Sequence, residues 1–371
     1  MKVAILHNTL NIVGGGERLC LVTVEALKER GHQVALGTVD RTDWSRVARS
    51  FGKVTRPDEE MFVLFRRFPH FAIYQRMLTL LHAFRKYRWA DVIFNTHGDM
   101  LPFNFPAKRL VTYVHFPTFT IQRYFSKYQR GFWRLYFEPY RMLQSFFIKG
   151  LSNSVVLTNS RFSASVIKEN MGCEAEIVYP PVDVDNFYSG RKRNQIVSVG
   201  RYTPEKNYET LIRAMEKVEG AKCIIVGGRS GKVSGPYIAK LKGLIHNLKL
   251  EDHVTLLVGI PFGQLKQILA TSEIYVHPMI YEHFGISVVE AMASGCVPIT
   301  HRSGGPYTDI VDHDKYGFSF EDVEDLAEKI NLILHNDGLR GEYSRRALEQ
   351  SKEFNRQRFK EQIVEVLERK Q

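Results

Sequence analysis

The chain has 371 residues, 44% of them apolar and 25% charged, a composition that excludes a disordered or fibrous chain and, at roughly 150 residues per domain, admits two packed domains. Its net charge of +11 is one-sided: residues 1–180 hold 25 Lys and Arg against 14 Asp and Glu, whereas residues 181–371 balance at 26 against 26. Such asymmetry points to an anionic partner for the N-terminal half.

Residues 2–7, Lys-Val-Ala-Ile-Leu-His, read as a buried first strand rather than a signal peptide. Gly14-Gly15-Gly16 follows, then a helix over 17–29 with apolar spacing at Leu19, Val22 and Leu27, a stop at Gly31 and a strand at 34–36. Strand, helix and strand at this spacing predict parallel α/β structure, continued by strands at 91–94, 110–114 and 154–157. The pattern breaks at Tyr179-Pro180-Pro181 and in the basic stretch 189–194, which places a linker there. A fresh strand at 195–200 opens a second alternation, with strands at 223–227, 254–257 and 274–277 and a charged amphipathic helix over 354–370. The predicted domains are 1–185 and 186–353, with 354–371 as a terminal helix. No segment approaches the roughly 18 uninterrupted apolar residues of a membrane span, so a cytoplasmic protein is expected. Cys20, Cys173, Cys223 and Cys296 are scattered without disulfide or zinc-ligand spacing and are expected to be reduced thiols.

The most informative stretch runs from Tyr281 to Gly295. Glu282 and Glu290 lie eight residues apart around Gly285, where a helix is predicted to open. Glu282 falls in the turn, within reach of a sugar, and Glu290 about two helical turns further on, where it can accept from ribose hydroxyls. Between them, the N–H groups of Phe284, Gly285, Ile286 and Ser287 can hold an anion at a helix start. Two acids chosen at random are more often ordinary helix-surface residues. Here they flank an apolar Phe-Gly-Ile-Ser-Val-Val run, and Ser303-Gly304-Gly305-Pro306 follows as a turn able to bring backbone amides to a ligand. With Asp309-Ile310-Val311, these residues resemble the retaining glycosyltransferases of family 4, whose pattern is Glu, seven residues, Glu. Within that family the string is most similar to the α-1,2-mannosyltransferases that extend the lipid-linked oligosaccharide of N-glycosylation.

Three further motifs sit at predicted strand ends. Arg201 and Lys206, five residues apart after the strand at 195–200, can clamp a diphosphate, Arg as a planar fork and Lys as a point charge. An arbitrary Arg/Lys pair is usually solvent-exposed, but α/β sheets bind ligands at strand carboxyl ends. The Gly14–Gly16 loop lets backbone approach a phosphate, although its spacing is not that of a dinucleotide fingerprint, because Arg18 and Leu19 stand where a third glycine would fall. His115 ends the strand at 110–114. A lone histidine is more often structural, as is Asp99, which suits a turn cap. The resemblance implies that Gly15, Gly16, Arg201 and Lys206 meet the donor diphosphate, that His115 faces the donor sugar, and that the C-terminal helix of a two-domain GT-B fold crosses back to the first domain, the two Rossmann-like domains facing a cleft.

Residues 61–90 carry Phe62, Phe65, Phe68, Phe71, Tyr74, Phe84, Tyr87 and Trp89 among six arginines and lysines, including Arg66, Arg67, Arg85 and Lys86, and no acid. Residues 119–149 repeat the mixture with Trp133, Phe132, Tyr136 and Phe146 beside Arg123, Lys127, Arg130 and Arg134. Some of these aromatics must be core. Taken together with the cations they suit an anionic membrane surface better than single-stranded nucleic acid, for which no accompanying motif exists.

The resemblance thus implies a retaining enzyme, peripheral at the cytoplasmic membrane face, that moves a sugar from a nucleotide donor onto a polyprenyl-diphosphate-linked glycan. Mannose from GDP-mannose is the first choice, with a UDP-sugar donor or a GT-B epimerase as alternatives. No cofactor is expected: no aspartate pair suits a metal-bound diphosphate, and the histidines are dispersed.

Overall fold

A computed structural model describes residues 1–12, 14–68, 71–86, 88–98, 109–120, 131–148 and 154–369. Tyr87, Asp99, Arg123, Lys127 and Arg130 lie outside the described residues. The chain forms two compact units, Met1–Pro181 with Arg356–Gln371, and Val182–Asn355. Lys and Arg exceed Asp and Glu by 25 to 14 over 1–181 and by 5 to 3 over 356–371, so the first unit carries +13 and the second −2.

In the first unit, strands β1 (Lys2–Leu6), β2 (Gln33–Asp40), β3 (Glu59–Leu64), β4 (Val92–Asn95), β5 (Arg109–Val114), β6 (Val155–Thr158) and β7 (Glu176–Ile177) form one parallel sheet in the order β3-β2-β1-β4-β5-β6-β7. Buried parallel strands are covered on both faces and read as apolar runs, as Val3–Leu6 and Val34–Leu36, all fully buried, do here. Helices α1 (Gly15–Glu29), α2 (Trp44–Phe51), α3 (Ala72–Gln75), α4 (Leu80–Lys86), α5 (Gly131–Ile148) and α6 (Arg161–Met171) belong to this unit.

The second unit is also wholly parallel. Its strands β8 (Arg193–Val199), β9 (Lys222–Gly227), β10 (Val254–Val258), β11 (Ser272–His277), β12 (Val297–His301) and β13 (Phe318–Phe320) run in the order β10-β9-β8-β11-β12-β13. Helices α7 (Tyr208–Ala214), α8 (Ser234–Asn247), α9 (Phe262–Thr271), α10 (Ile286–Ala293), α11 (Val323–Leu334) and α12 (Asp337–Ser351) flank it.

The last helix, α13 (Arg356–Glu368), returns to the first unit. It buries Phe359, Ile363, Val364, Val366 and Leu367 in the core shared with α1, each such side chain contributing roughly 1.5–3 kcal/mol. Three ion pairs fix its register: Arg356 and Lys360 both reach Glu25, and Lys360 reaches Glu29 at 2.8 Å. Burial raises the Glu25 carboxyl pKa, but the two cations outweigh it and hold the carboxyl below its ordinary range. At its far end the buried Arg109 guanidinium donates to the carbonyls of Val366, Leu367 and Arg369, capping the negative end of the helix dipole.

Candidate functional site

Each sheet reverses its strand order once, between β1 and β4 in the first unit and between β8 and β11 in the second. The crevice outside the carboxyl ends at such a switch point is where open α/β sheets bind ligands. In the second unit, Arg201 and Lys206 lie on the β8-to-α7 connection, and Glu282 on the loop from β11 to α10. The structure brings Lys206 and Glu282 together: Lys206 Nζ donates to Glu282 Oε2 at 2.5 Å, both side chains being about one-sixth exposed (15% and 17%). Asn207 Nδ2 ties the same two loops by donating to Pro278 O at 3.2 Å. Arg201 is exposed.

His277, absent from the sequence-based list, completes the cluster. It ends β11, is 2% exposed, and its Nε2 lies 3.4 Å from Glu282 Oε2. Its ring stacks on Tyr275, whose hydroxyl donates to Ser287 Oγ at 2.7 Å. Burial lowers the His277 pKa, which favours the neutral ring, and the nearby Glu282 carboxylate opposes that shift. Burial likewise drives neighbouring His283 down to about 4. The Glu282 carboxyl would be raised by burial, yet Lys206 and then His277 hold it well below its ordinary range. The rule that picked out His115, a histidine at a strand's carboxyl end, would have found His277 as well.

Glycines shape the carboxylate loop. Gly285 takes φ 99°, in the left-handed region, and a Cβ there would press on Pro306 at 2.9 Å. A Cβ on Gly304 would lie 2.3 Å from the Glu282 carbonyl, and one on Gly305 would lie 2.2 Å from that of His283. The expected ligand-facing role of the 303–306 turn therefore needs correcting in one respect. Gly305 N–H donates to Glu282 O at 2.8 Å and Ser303 Oγ accepts from Tyr281 N at 3.0 Å, so these groups position the Glu282 loop. Glu290 also sits nearer than two helical turns, because α10 starts at Ile286 and Glu290 is its fifth residue, 8% exposed. Phe284 turns its ring into the interior against Phe354, with centroids 5.5 Å apart. Ile286 and Ser287 open the helix, whose first N–H groups have no intrahelical acceptor.

In the first unit the switch point gathers His7, Thr96, His115 and the glycine loop. Thr96 Oγ1 donates to Leu6 O and accepts from His7 Nδ1 at 2.8 Å, while His115 Nε2 donates to Thr96 O at 3.0 Å. Helix α1 starts at Gly15, and a Cβ on Gly16 would stand 3.5 Å from His115 Nε2, which places loop and histidine side by side.

The aromatic and basic residues divide. Arg66 and Arg85 are exposed, as are Phe65, Phe68, Phe71, Phe84 and Trp133. Trp89 instead packs on the cluster of Ala4, Leu6 and Ile93, with Lys2 and Lys86 over its ring, and Lys86 also pairs with Glu59 at 2.5 Å. Arg67 is partly buried and interacts with Asp40, Arg76 and Glu17. Among the described residues no helix is long and apolar enough to cross a membrane, and no group of three His, Cys, Asp or Glu is arranged to hold a metal ion.

Residues 183–352 match the family described as Glycosyl transferases group 1, and residues 13–186 match Glycosyltransferase Family 4. A GDP-Man:Man(3)GlcNAc(2)-PP-Dol alpha-1,2-mannosyltransferase of Dictyostelium discoideum is 31% identical over 59% of the chain and 48% of that protein. The chain thus spans about half of that relative. The human protein of the same name is 28% identical over 90% of the chain and 80% of its own length. Among solved structures, Anabaena HepE in complex with UDP aligns with a TM-score of 0.78 over 99% of both chains at 18% identity. WaaG, a glycosyltransferase of lipopolysaccharide biosynthesis, aligns at 0.73 over 99% of both at 14% identity. With a GT-B fold and two family matches that together run from residue 13 to residue 352, the chain belongs to the family 4 glycosyltransferases.

Proposed function

We propose that this chain transfers mannose from GDP-mannose, with retention and in α-1,2 linkage, onto a polyprenyl-diphosphate-linked glycan, working as a peripheral enzyme at the cytoplasmic membrane face. The names of the relatives support donor and acceptor. The observation that carries the chemistry is the Lys206–Glu282–His277 cluster at the second unit's switch point, beside the start of α10.

In this reading Arg201 and Lys206 hold the donor diphosphate, helped by the N–H groups of Gly285, Ile286 and Ser287. Gly15 and Gly16 offer backbone amides, and His115 an imidazole, to the same class of ligand. Lys206 moves from Glu282 to phosphate as charge grows on the leaving group, and such preorganised charge is worth most in a water-poor site. Glu282, still held by His277, accepts from hydroxyls of the transferred sugar, and Glu290 accepts from the ribose. The acceptor hydroxyl attacks from the face the diphosphate leaves, and a departing phosphate oxygen takes its proton. The protein's own cations neutralise the diphosphate, so transfer proceeds without a metal.

The test is transfer from GDP-mannose and a panel of UDP-sugars to a prenyl-diphosphate glycan in EDTA, with the product linkage read by NMR. Retained α-1,2-mannose in chelator is the expected product. Transfer only from a UDP-sugar replaces the donor, complete dependence on added magnesium or manganese overturns the metal-free mechanism, and epimerised donor without transfer overturns the reading. Within the site, Glu290→Gln should weaken nucleoside diphosphate binding about tenfold, the cost of one charge-assisted hydrogen bond, while Glu282→Gln lowers turnover and leaves that binding intact. Equal losses by calorimetry would dissolve the division of roles.

A further inference from the structure

Four tyrosines are buried in the second unit, Tyr202, Tyr208, Tyr237 and Tyr275, at 0%, 1%, 4% and 0% exposure. Three of them engage their hydroxyls within the unit. Tyr202 donates to Ile225 O at 2.7 Å, Tyr237 to Glu209 Oε2 at 2.5 Å and Tyr275 to Ser287 Oγ at 2.7 Å. The Tyr208 hydroxyl has no hydrogen-bond partner among the described residues. A buried hydroxyl in that state destabilises the fold, and phenylalanine would fill the same space without the penalty.

The hydroxyl lies beside the phosphate-binding loop. Gly200 follows β8 and precedes Arg201. A Cβ on Gly200 would stand 2.8 Å from Tyr208 Oη and 3.3 Å from Lys206 Cε, so the hydroxyl and the lysine stem border the same point. The φ of Gly200 is not positive, and the glycine therefore serves space here rather than backbone freedom. Any side chain at this position would come between Tyr208 and Lys206.

Lys206 Nζ donates to Glu282 Oε2 at 2.5 Å and to Met279 Sδ at 3.2 Å. An ammonium has three N–H groups and a thioether is a weak acceptor, so the one strong partner of Lys206 is the carboxylate it must leave to reach a phosphate. Tyr208 is itself too deeply buried to meet a ligand. Burial above all holds its pKa well above the ordinary range, which leaves a neutral hydroxyl able to accept.

We propose that Tyr208 is a positioning residue for Lys206: its hydroxyl oxygen accepts an N–H of Lys206 when the ammonium turns from Glu282 to the distal phosphate of the donor. The lysine is thereby held in its phosphate-facing rotamer, which reduces the freedom a long, flexible side chain must lose on binding. A phenol then stands where phenylalanine would be more stable because stability is exchanged for placement of a charge. This deepens the functional reading above, from which the diphosphate role of Lys206 is taken.

Calorimetry of the full chain with GDP, GMP, UDP and UMP, together with urea denaturation, is the test. Tyr208→Phe is expected to weaken the preferred nucleoside diphosphate about fivefold, the worth of one ordinary hydrogen bond, and to leave its monophosphate unchanged. The variant should be at least as stable as wild type. In a background of Lys206→Ala with Glu282→Gln, which removes the lysine without stranding its carboxylate, Tyr208→Phe should have no further effect on diphosphate affinity. Wild-type diphosphate affinity in Tyr208→Phe, equal losses for diphosphate and monophosphate, a loss of stability, or the same loss with and without Lys206 would overturn the inference. A wild-type chain that binds neither diphosphate more tightly than its monophosphate would overturn the diphosphate role of Lys206 as well, so the two failures are told apart by the wild type alone.

Discussion

The two units solve opposite problems at their surfaces. At the second unit's switch point, charge is buried and answered from within: Lys206 pairs with Glu282, and His277 supports the same carboxylate. In the first unit His7 and His115 both bond Thr96 at the switch point, but the outer face around α5 leaves large apolar side chains facing out. Net charge follows the same division, +13 in the first unit and −2 in the second. A site for a charged, water-soluble ligand can be completed by its own protein in the ligand's absence. A surface for an apolar partner cannot, because nothing polar can substitute for removal from water.

The contrast breaks most severely at Lys206. Replacing it with Ala leaves Glu282 nearly buried without its main partner, which should destabilise the second unit by about 3 kcal/mol, and the lost charge should cost transfer roughly 3 kcal/mol more. Adding Glu282→Gln should restore much of the stability and none of the activity. Urea denaturation of single and double variants separates the two losses. A single variant as stable as wild type would show that the pair is not internally completed.

Acid should expose the same dependence. His283 and His277 are neutral because burial lowers their pKa values, and His283 is carried from 6.5 to about 4. In the unfolded chain both bind protons at higher pH. Their contribution is therefore complete above the unfolded value near 6.5 and declines as pH falls toward 4, at most about 1.4 kcal/mol per pH unit for each. Glu282, with its pKa held low, loses its contribution only as pH falls below its unfolded value of about 4.5 and through its lower folded one. His283→Asn should flatten the denaturation midpoint between pH 6.5 and 4.5. An unchanged slope would mean that the ring is solvated.

The sequence disclosed the second unit better than the first, for a physical reason. Parallel strands leave short apolar runs, so β1, β2, β4, β5, β6, β8, β9, β10 and β11 were legible, as were the glycines that hold the Glu282 loop. Strand β3, Glu-Glu-Met-Phe-Val-Leu, is an edge strand of intermediate exposure and was absorbed into the aromatic, basic stretch around it. Strands β7 and β13, two and three residues long, are too short to show a period. Composition could not say which aromatics face inward: Trp89 packs on the core while Trp133, in a similar setting of cations, is exposed. Nor could it show that Lys206 and Glu282, 76 residues apart, satisfy each other, since such pairing follows from two loops meeting at one switch point.

Inside the first unit, the return of α13 offers a control on what is completed internally. Arg109→Ala would strip one buried cation from three helix-end carbonyls, at a cost of about 2 kcal/mol, since hydrogen bonds to a charged group contribute roughly 1.5–3 kcal/mol. Amide exchange of the last turn of α13 should accelerate before that of α1. Equal acceleration across the unit would show that the helix end is held by its apolar face instead.

The smallest effects are expected on the outward face, where each cation acts through solvent. Arg66 and Arg85 are exposed, whereas Lys86 is engaged by Glu59 and Trp89, so the residues flanking the apolar surface are unequal. If that surface rests on anionic lipid, each exposed arginine contributes about 1 kcal/mol near the bilayer, and the attraction fades as salt shortens the screening length to about 10 Å at 0.1 M. Arg66→Glu with Arg85→Glu should therefore weaken cosedimentation with phosphatidylserine vesicles by one to two orders of magnitude at low salt. Lys86→Gln, which removes a cation already spent on Glu59, should change it by less than about threefold. Donor nucleotide binding, assigned mainly to the other unit and to none of these three residues, should not respond to either. Equal losses from all three positions would show that total charge, rather than its placement beside the exposed rings, governs the membrane contact.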